Sequence, residues 1–312
     1  MNGVLIIDKP AGLTSHDVVS RIRHILGQRS VGHLGTLDPM ATGVLPLVVG
    51  SFTRLAQFYV SSEKTYEGTI RFGYSTDTYD AEGQASSTPR QVMLDRDSVE
   101  EVAARFRGVI QQMPPPFSAK KVKGVPAYKL ARKQKEVVLQ PVEVEIKEFE
   151  ILAVEAERVG FRARVASGTY MRSVAHDMGQ ALGCGAHLES LRRTAVSEFT
   201  LDDAHSLEEL DSAAGNNDVG GNCGRTCPEY EAKADQTLPS QFVHPRKLLP
   251  QLPSVTADEA SLARIRTGRS VNLPDLSQAR QIKVFAGQSE LVAIATRVAG
   301  TLFHPKIVLC QS

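Results

Sequence analysis

The sequence predicts an α+β fold, a large body followed by a small β-rich unit, and two observations carry the prediction. Strand-like apolar runs and segments of helical spacing follow one another irregularly, not in the strict alternation of a doubly wound fold. Beyond residue 246 the pattern changes to short β-type runs separated by turns. With 312 residues, 42% of them hydrophobic, the chain can bury a substantial core, and its length suits one large domain (1–245) plus a small one (246–312).

The elements follow in order. Residues 3–7 are an apolar run ended by Asp8-Lys9-Pro10-Ala11-Gly12, a strand entering a turn. From Ser15 the positions Val18, Val19, Ile22, Ile25 and Leu26 keep helical spacing until Gly27 stops the helix. Residues 31–43, rich in Gly, Thr, Asp and Pro, read as a loop that feeds a strand over 44–49, irregular at its start because of Pro46. Strands are expected around 64–74 and 80–86, a helix over 98–107, strands near 142–154 and 159–167, and a helix near 171–182. Pro114-Pro115-Pro116 marks a stiff exit into a basic stretch. Residues 211–240 are turn-rich and poor in apolar residues, which reads as a variable surface loop. In the small domain, strands are expected over 281–286, 291–297 and 306–309.

Composition excludes several classes. No stretch approaches the ~20 apolar residues of a membrane span. The N-terminus lacks a basic segment followed by a long apolar one, and four cysteines are too few and scattered for a disulfide framework. A cytoplasmic protein is expected. The pair Cys223 and Cys227 lacks the further ligands of a zinc site, so no metal is expected. Net charge is only +1, yet charge is segregated: residues 117–135 hold Lys120, Lys121, Lys123, Lys129, Arg132, Lys133 and Lys135 with no acid, and Glu143, Glu145, Glu148, Glu150, Glu155 and Glu157 follow. Such segregation lets one face be strongly positive while the average stays near zero. The small domain carries nine Lys and Arg against four acids.

The stretch Gly32-His33-Leu34-Gly35-Thr36-Leu37-Asp38-Pro39-Met40-Ala41-Thr42-Gly43 is the most informative. Its glycines allow sharp turns and close approach of a large ligand, and Pro39 biases Asp38 toward an extended conformation. A carboxylate on a stiff loop ahead of a buried strand is well placed for chemistry, although a lone Asp-Pro more often caps a turn. No Gly-Lys-Ser/Thr follows the glycines, which excludes a Walker-type phosphate loop.

This segment resembles the catalytic motif of the TruB family, the bacterial tRNA pseudouridine-55 synthases. Other segments resemble the family's motifs in the family's order: Asp8-Lys9-Pro10-Ala11-Gly12, Lys64-Thr65-Tyr66, Phe72-Gly73 with Thr76, Thr78, Asp80 and Gly83, Pro114 to Lys121 with Ala127-Tyr128, Ser167 to Arg172, and Gly185 to Thr194. One departure is Ser197, where the family suggests a glycine. The resemblance implies a pseudouridine-synthase fold with a mixed, mainly antiparallel sheet and a small C-terminal PUA-like barrel that binds RNA. It implies conversion of uridine 55 in the tRNA T-loop to pseudouridine without a cofactor, and without a guide RNA because the basic insertion at 117–135 is present. A monomer is the default.

Residue by residue, the resemblance makes Asp38 the catalytic carboxylate and Arg172 its partner; a nearby guanidinium favours an ionised carboxylate. Tyr66 would stack on the everted base and Tyr170 would support carboxylate and base. His33 would contact extruded nucleotides, and Leu191 would border the uracil. Lys9 is placed at the substrate site, bracing the loop more than reacting. Lys120, Lys121, Lys123 and Lys129 would hold the RNA backbone of the T-arm.

Overall fold

The computed structural model describes residues 1–118, 120–122, 125–126, 139–214, 238–275 and 277–309. Lys123, Ala127, Tyr128, Lys129, Arg132, Lys133, Lys135, Cys223, Cys227 and most of the expected 211–240 loop lie outside the described residues, as does the side chain of Lys121.

The body is built on strands β1 (Gly3–Lys9), β2 (Val31–His33), β3 (Thr42–Val49), β4 (Lys64–Phe72) and β5 (Gly108–Gln112). After a two-residue hairpin, β6 (Lys121–Val122) with β7 (Val125–Pro126), come β8 (Val142–Glu155), β9 (Arg158–Val165), β10 (Ala186–Val196), β11 (Phe199–Thr200) and β12 (Ala204–His205). Its helices are α1 (Ser15–Leu26), α2 (Arg96–Ala104), α3 (Met171–Ala181) and α4 (Leu207–Ala213). Among the described residues, one ten-stranded sheet runs β12-β1-β3-β10-β4-β9-β8-β5, with β2 beside β3 and β11 beside β10. Only the β1–β12 and β3–β10 pairs are parallel, so the sheet is mixed and mainly antiparallel, as expected.

Helix α1 shows how local rules set the bounds. Thr14 accepts from the Asp17 N–H while the Asp17 carboxylate accepts from the Thr14 N–H, a capping box, and Gly27 ends the helix at φ 57°. Its apolar stripe, Val18, Val19 and Ile22, packs on Leu5 and Ile7 of β1 and Leu45 and Leu47 of β3. The alternate residues, Val4, Ile6, Val44 and Val48, face the other way and pack on Phe285, Leu291, Ile294 and Ile307. This half of the sheet is covered on both faces, which explains why β1 and β3 read as unbroken apolar runs. The residues that cover the second face come from a five-stranded sheet, β13 (Ser254–Thr256), β14 (Val271–Asn272), β15 (Gln281–Ala286), β16 (Glu290–Ala299) and β17 (Leu302–Val308), ordered β13-β15-β16-β17-β14. Helix α5 (Glu259–Arg266) packs against it.

The other half of the sheet exposes one face. On β9, Phe161, Ala163 and Val165 are buried, whereas Arg158, Arg162 and Arg164 point outward and pair with Glu189, Glu67 and Glu63. Arg162 and Arg164 also reach Glu150 and Glu148 of β8. Glu148 and Glu150 of the acidic run read from the sequence are thus matched by cross-strand arginines.

Three local expectations are corrected and one element is added. Residues 80–86 form no strand: Asp80 accepts from the Thr78 hydroxyl at 2.6 Å and the Glu82 N–H at 3.1 Å, and this turn chemistry prevails over pairing, leaving isolated bridges. The loop at 31–43 opens with the short strand β2. Residues 186–196, which carry no strand-like alternation and for which no element was expected, are the long strand β10 in the middle of the sheet. The small unit, expected as strands and turns, also contains α5. Ser197, at the β10–β11 turn, has φ 51°, the left-handed region that explains why glycine suits the position.

Candidate active site

The pairing of β3, β10 and β4 assembles the site. Arg193 on β10 lies opposite Gly43 of β3 on one side and Tyr66 of β4 on the other. The approach to β3 is so close that a Cβ on Gly43, whose φ is 99°, would stand 2.2 Å from the Arg193 carbonyl oxygen. The loop before β3, carrying Asp38, is therefore set beside Tyr66 and Leu191. Across from it, α3 begins at Met171 and brings Tyr170 and Arg172. Asp38, Tyr66, Tyr170, Arg172 and Leu191 line one cavity of about 260 Å³, together with Lys64 and Ser118.

At its centre is a two-point ion pair. Arg172 Nε lies 2.9 Å from Asp38 Oδ2, and Arg172 Nη2 donates to Asp38 Oδ1 at 3.2 Å. This fork-like contact fixes the carboxylate plane. The arginine is 5% exposed, whereas the Asp38 side chain keeps 38% of its surface open to the cavity. Arg172 is itself held from behind: Nη1 lies 3.4 Å from Asp80 Oδ2 and donates to the Thr78 carbonyl, and Nη2 also donates to the Phe117 carbonyl at 2.9 Å. The carboxylate is thus gripped on one side and presented on the other.

The back of the loop is tied down by buried side-chain donors, of which Arg193 also borders the cavity. Arg193 donates to the carbonyls of Val44, Thr36 and Gly35. Ser15 Oγ accepts from the Leu37 N–H and donates to the Leu37 carbonyl. Lys9, with no exposed surface, donates to the carbonyls of Pro10, Leu13 and Pro39. Burial pulls the Lys9 ammonium down to about 8, partly offset by the charge of Asp38. Lys64 is also pulled to about 8, by burial and then by Arg193.

With this geometry in place, the comparisons with known proteins are specific. Residues 23–171 match the TruB family pseudouridylate synthase N-terminal domain, and residues 172–220 match the tRNA pseudouridylate synthase B C-terminal domain. A tRNA pseudouridine synthase B of Solibacter usitatus is 48% identical over 99% of this chain and all of that protein. The Aquifex aeolicus protein of the same name is 46% identical over 67% of this chain and 74% of its own length. A chain in the crystal structure of a Cbf5-Nop10-Gar1 complex superposes with a TM-score of 0.68 at 25% identity, covering 99% of this chain and 85% of that one. The chain belongs to the TruB family.

In this TruB-family chain the residues singled out from the sequence fall into three places. Asp38, Tyr66, Tyr170, Arg172 and Leu191 share the cavity wall. Burial raises the Tyr170 phenol, so it stays protonated over a wider range. His33 sits on β2, where its Nδ1 accepts from the Gly35 N–H at 3.3 Å, and Lys9 lies behind the loop; neither lines the cavity. Burial lowers the His33 imidazole, with Arg193 next in effect, which favours its neutral form. Lys120 is half-buried beyond Ser118.

Sequence reasoning left three participants without a role. Asp80 and Arg193 sit inside quoted motifs, and the available signal was an acid after Thr-x-Thr and a second arginine beside Arg192. Lys64 had only its alternation with Tyr66, two residues apart on the same strand face. Among the described residues, no group of three or more His, Cys, Asp or Glu side chains is arranged to hold a metal ion.

Proposed function

We propose that this enzyme isomerises uridine 55 in the T-loop of tRNA to pseudouridine, with Asp38 as the reacting carboxylate. The observation that carries the reading is the Arg172–Asp38 fork, which leaves the carboxylate open to a cavity walled by Tyr66, Tyr170 and Leu191. The relatives' name, tRNA pseudouridine synthase B, supports tRNA as the substrate.

The reaction breaks the bond between ribose C1′ and uracil N1, turns the ring and joins C1′ to C5. The proton lost from C5 is matched by one gained at N1, so the product has the mass of the substrate. A uridine stacked in the T-loop must evert to enter the cavity, and an aromatic wall at Tyr66 accepts its face without reading its edges. Asp38 acts at the ribose or the base as the glycosidic bond opens. Negative charge developing on the base meets the positive surroundings set by Arg172, Lys64 and Arg193.

The basic residues from Lys120 to Lys135 clamp the T-arm backbone, and the small C-terminal unit serves as a PUA-like RNA-binding domain. With its own clamp the enzyme works in the cytoplasm as a monomer, without a guide RNA. Replacing Lys120, Lys121, Lys123 and Lys129 together with Ala is expected to weaken T-arm binding and flatten its salt dependence; an unchanged slope in filter binding would remove them from the interface. The reading as a whole is tested by incubating tRNA with the pure protein and mapping pseudouridine chemically. One modified position in the T-loop at unchanged RNA mass is expected, and unmodified tRNA would refute the assignment.

A further inference from the structure

Strand β5 has a single fully buried residue, and it is polar: Gln112, 1% exposed. A primary amide removed from water is costly unless both its donor and its acceptor are used. Here both are used, by the backbone of one residue. The Gln112 Oε1 accepts from the Tyr170 N–H at 2.8 Å, and Nε2 donates to the Tyr170 carbonyl at 3.0 Å. The side chain thus pairs with Tyr170 as a neighbouring strand would.

The position matters because Tyr170 is the N-cap of α3 and supplies no side-chain cap of its own. Two further contacts join the same pair of segments. Ser173 Oγ donates to the Met113 carbonyl at 2.7 Å, and Arg172 Nη2 donates to the Phe117 carbonyl at 2.9 Å. Residues 112–117 are therefore a rail along which the first turn of α3 is held, and Gln112 bonds both the N–H and the carbonyl of the entering residue, the carbonyl shared with the Val174 N–H. Arg172 reaches Asp38 from that first turn, and the Tyr170 ring enters the cavity from the residue that Gln112 holds.

We propose that Gln112 is a positioning residue for the reaction, setting Tyr170 and the start of α3 so that Arg172 and the Tyr170 ring meet Asp38 in register. The proposal rests on the reading of Asp38 and Arg172 given above. Gln112 touches no reacting atom; it acts through Tyr170. Geometric precision is what it supplies, and a displacement of about 1 Å at a reacting group can cost about 100-fold in rate.

The test uses the full chain and a T-arm stem-loop tritiated at uracil C5, whose proton is released on turnover. Single-turnover rates and RNA dissociation constants are measured for wild type, Gln112→Leu, Gln112→Glu and Asp38→Asn, with circular dichroism as the fold check. Gln112→Leu is expected to lower the rate roughly 10- to 100-fold while RNA affinity stays within about twofold. Gln112→Glu carries the decisive signature. A protonated carboxyl group has one donor and one acceptor, as the amide does, whereas the ionised form opposes the Tyr170 carbonyl. Its rate relative to wild type is expected to fall as pH rises from about 5 to about 8, the range in which a buried carboxyl ionises. A merely structural role would give a ratio flat in pH, and that result overturns the proposal even if Gln112→Leu fails to fold. A folded Gln112→Leu with a rate within twofold of wild type overturns it too. Turnover by Asp38→Asn would remove the underlying reading, and the proposal with it, while leaving the Gln112 data to stand as evidence on folding alone.

Discussion

Two buried arginines stand on either side of the Asp38 loop, and only one of them meets carboxylates among the described residues. Arg172, in front, gives its guanidinium to the carboxylates of Asp38 and Asp80 as well as to the carbonyls of Thr78 and Phe117. Arg193, behind, gives its own to three backbone carbonyls and meets no carboxylate there. The difference shows how a carboxylate can be held rigid without being enclosed. The carbonyls of Gly35, Thr36, Leu37 and Pro39 are each taken by a buried donor, so the loop needs no contact from the cavity side to hold its shape. Asp38 is then free to face the cavity, with Arg172 as its one side-chain partner among the described residues.

The comparison can be broken most directly at the front. Arg172→Lys keeps the charge but loses the fork, and it is expected to lower the single-turnover rate about 100-fold or more, with a smaller loss of stability than Arg193→Met. Loss of stability in step with rate would mean that Arg172 is a structural residue like Arg193. At the back the reverse is expected. Arg193→Met leaves the buried carbonyl of Val44 and the partly buried ones of Gly35 and Thr36 without their donor and should cost about 3–5 kcal/mol in urea unfolding. A variant of wild-type stability would show that the loop is held by something else.

Lys9 sharpens the contrast through pH. Its ammonium titrates at about 8 in the folded chain, against an ordinary value of 10.5, because burial disfavours the charge. Between those values the unfolded chain still holds the proton that the folded chain has released, so folding becomes more favourable as pH rises. The burial penalty is present in full below about 8 and is relieved toward 10.5. The unfolding free energy of wild type relative to Lys9→Met is therefore expected to grow across that window. A constant difference would mean that Lys9 keeps its proton.

How much of this was legible beforehand depended on whether a signal is local. Helix α1 announces itself through spacing, a capping pair and Gly27, and β1 and β3 through runs that are apolar on both faces. The Asp38 loop was readable because glycines and a proline surround one acid. Strand β10 was not, since it carries Ser190, Arg192, Arg193 and Thr194 where a strand usually shows alternation. It interrupts its pairing with β4 twice, and it buries Arg193 because tertiary partners on β3 and the loop await it. Asp80 and Gln112 were hidden for the same reason: each matters through a partner some 60 to 90 residues away. Motif position put His33 and Lys9 near the site but not on a side of the loop: Lys9 lies behind it and His33 on β2, outside the cavity wall.

The central claim is that the Asp38 carboxylate, and not merely the pocket around it, performs the isomerisation. Asp38→Asn preserves size and one acceptor while removing the charge. With a T-arm stem-loop tritiated at uracil C5, its tritium release should be abolished while its RNA dissociation constant stays close to that of wild type. Release at the wild-type rate would contradict the account.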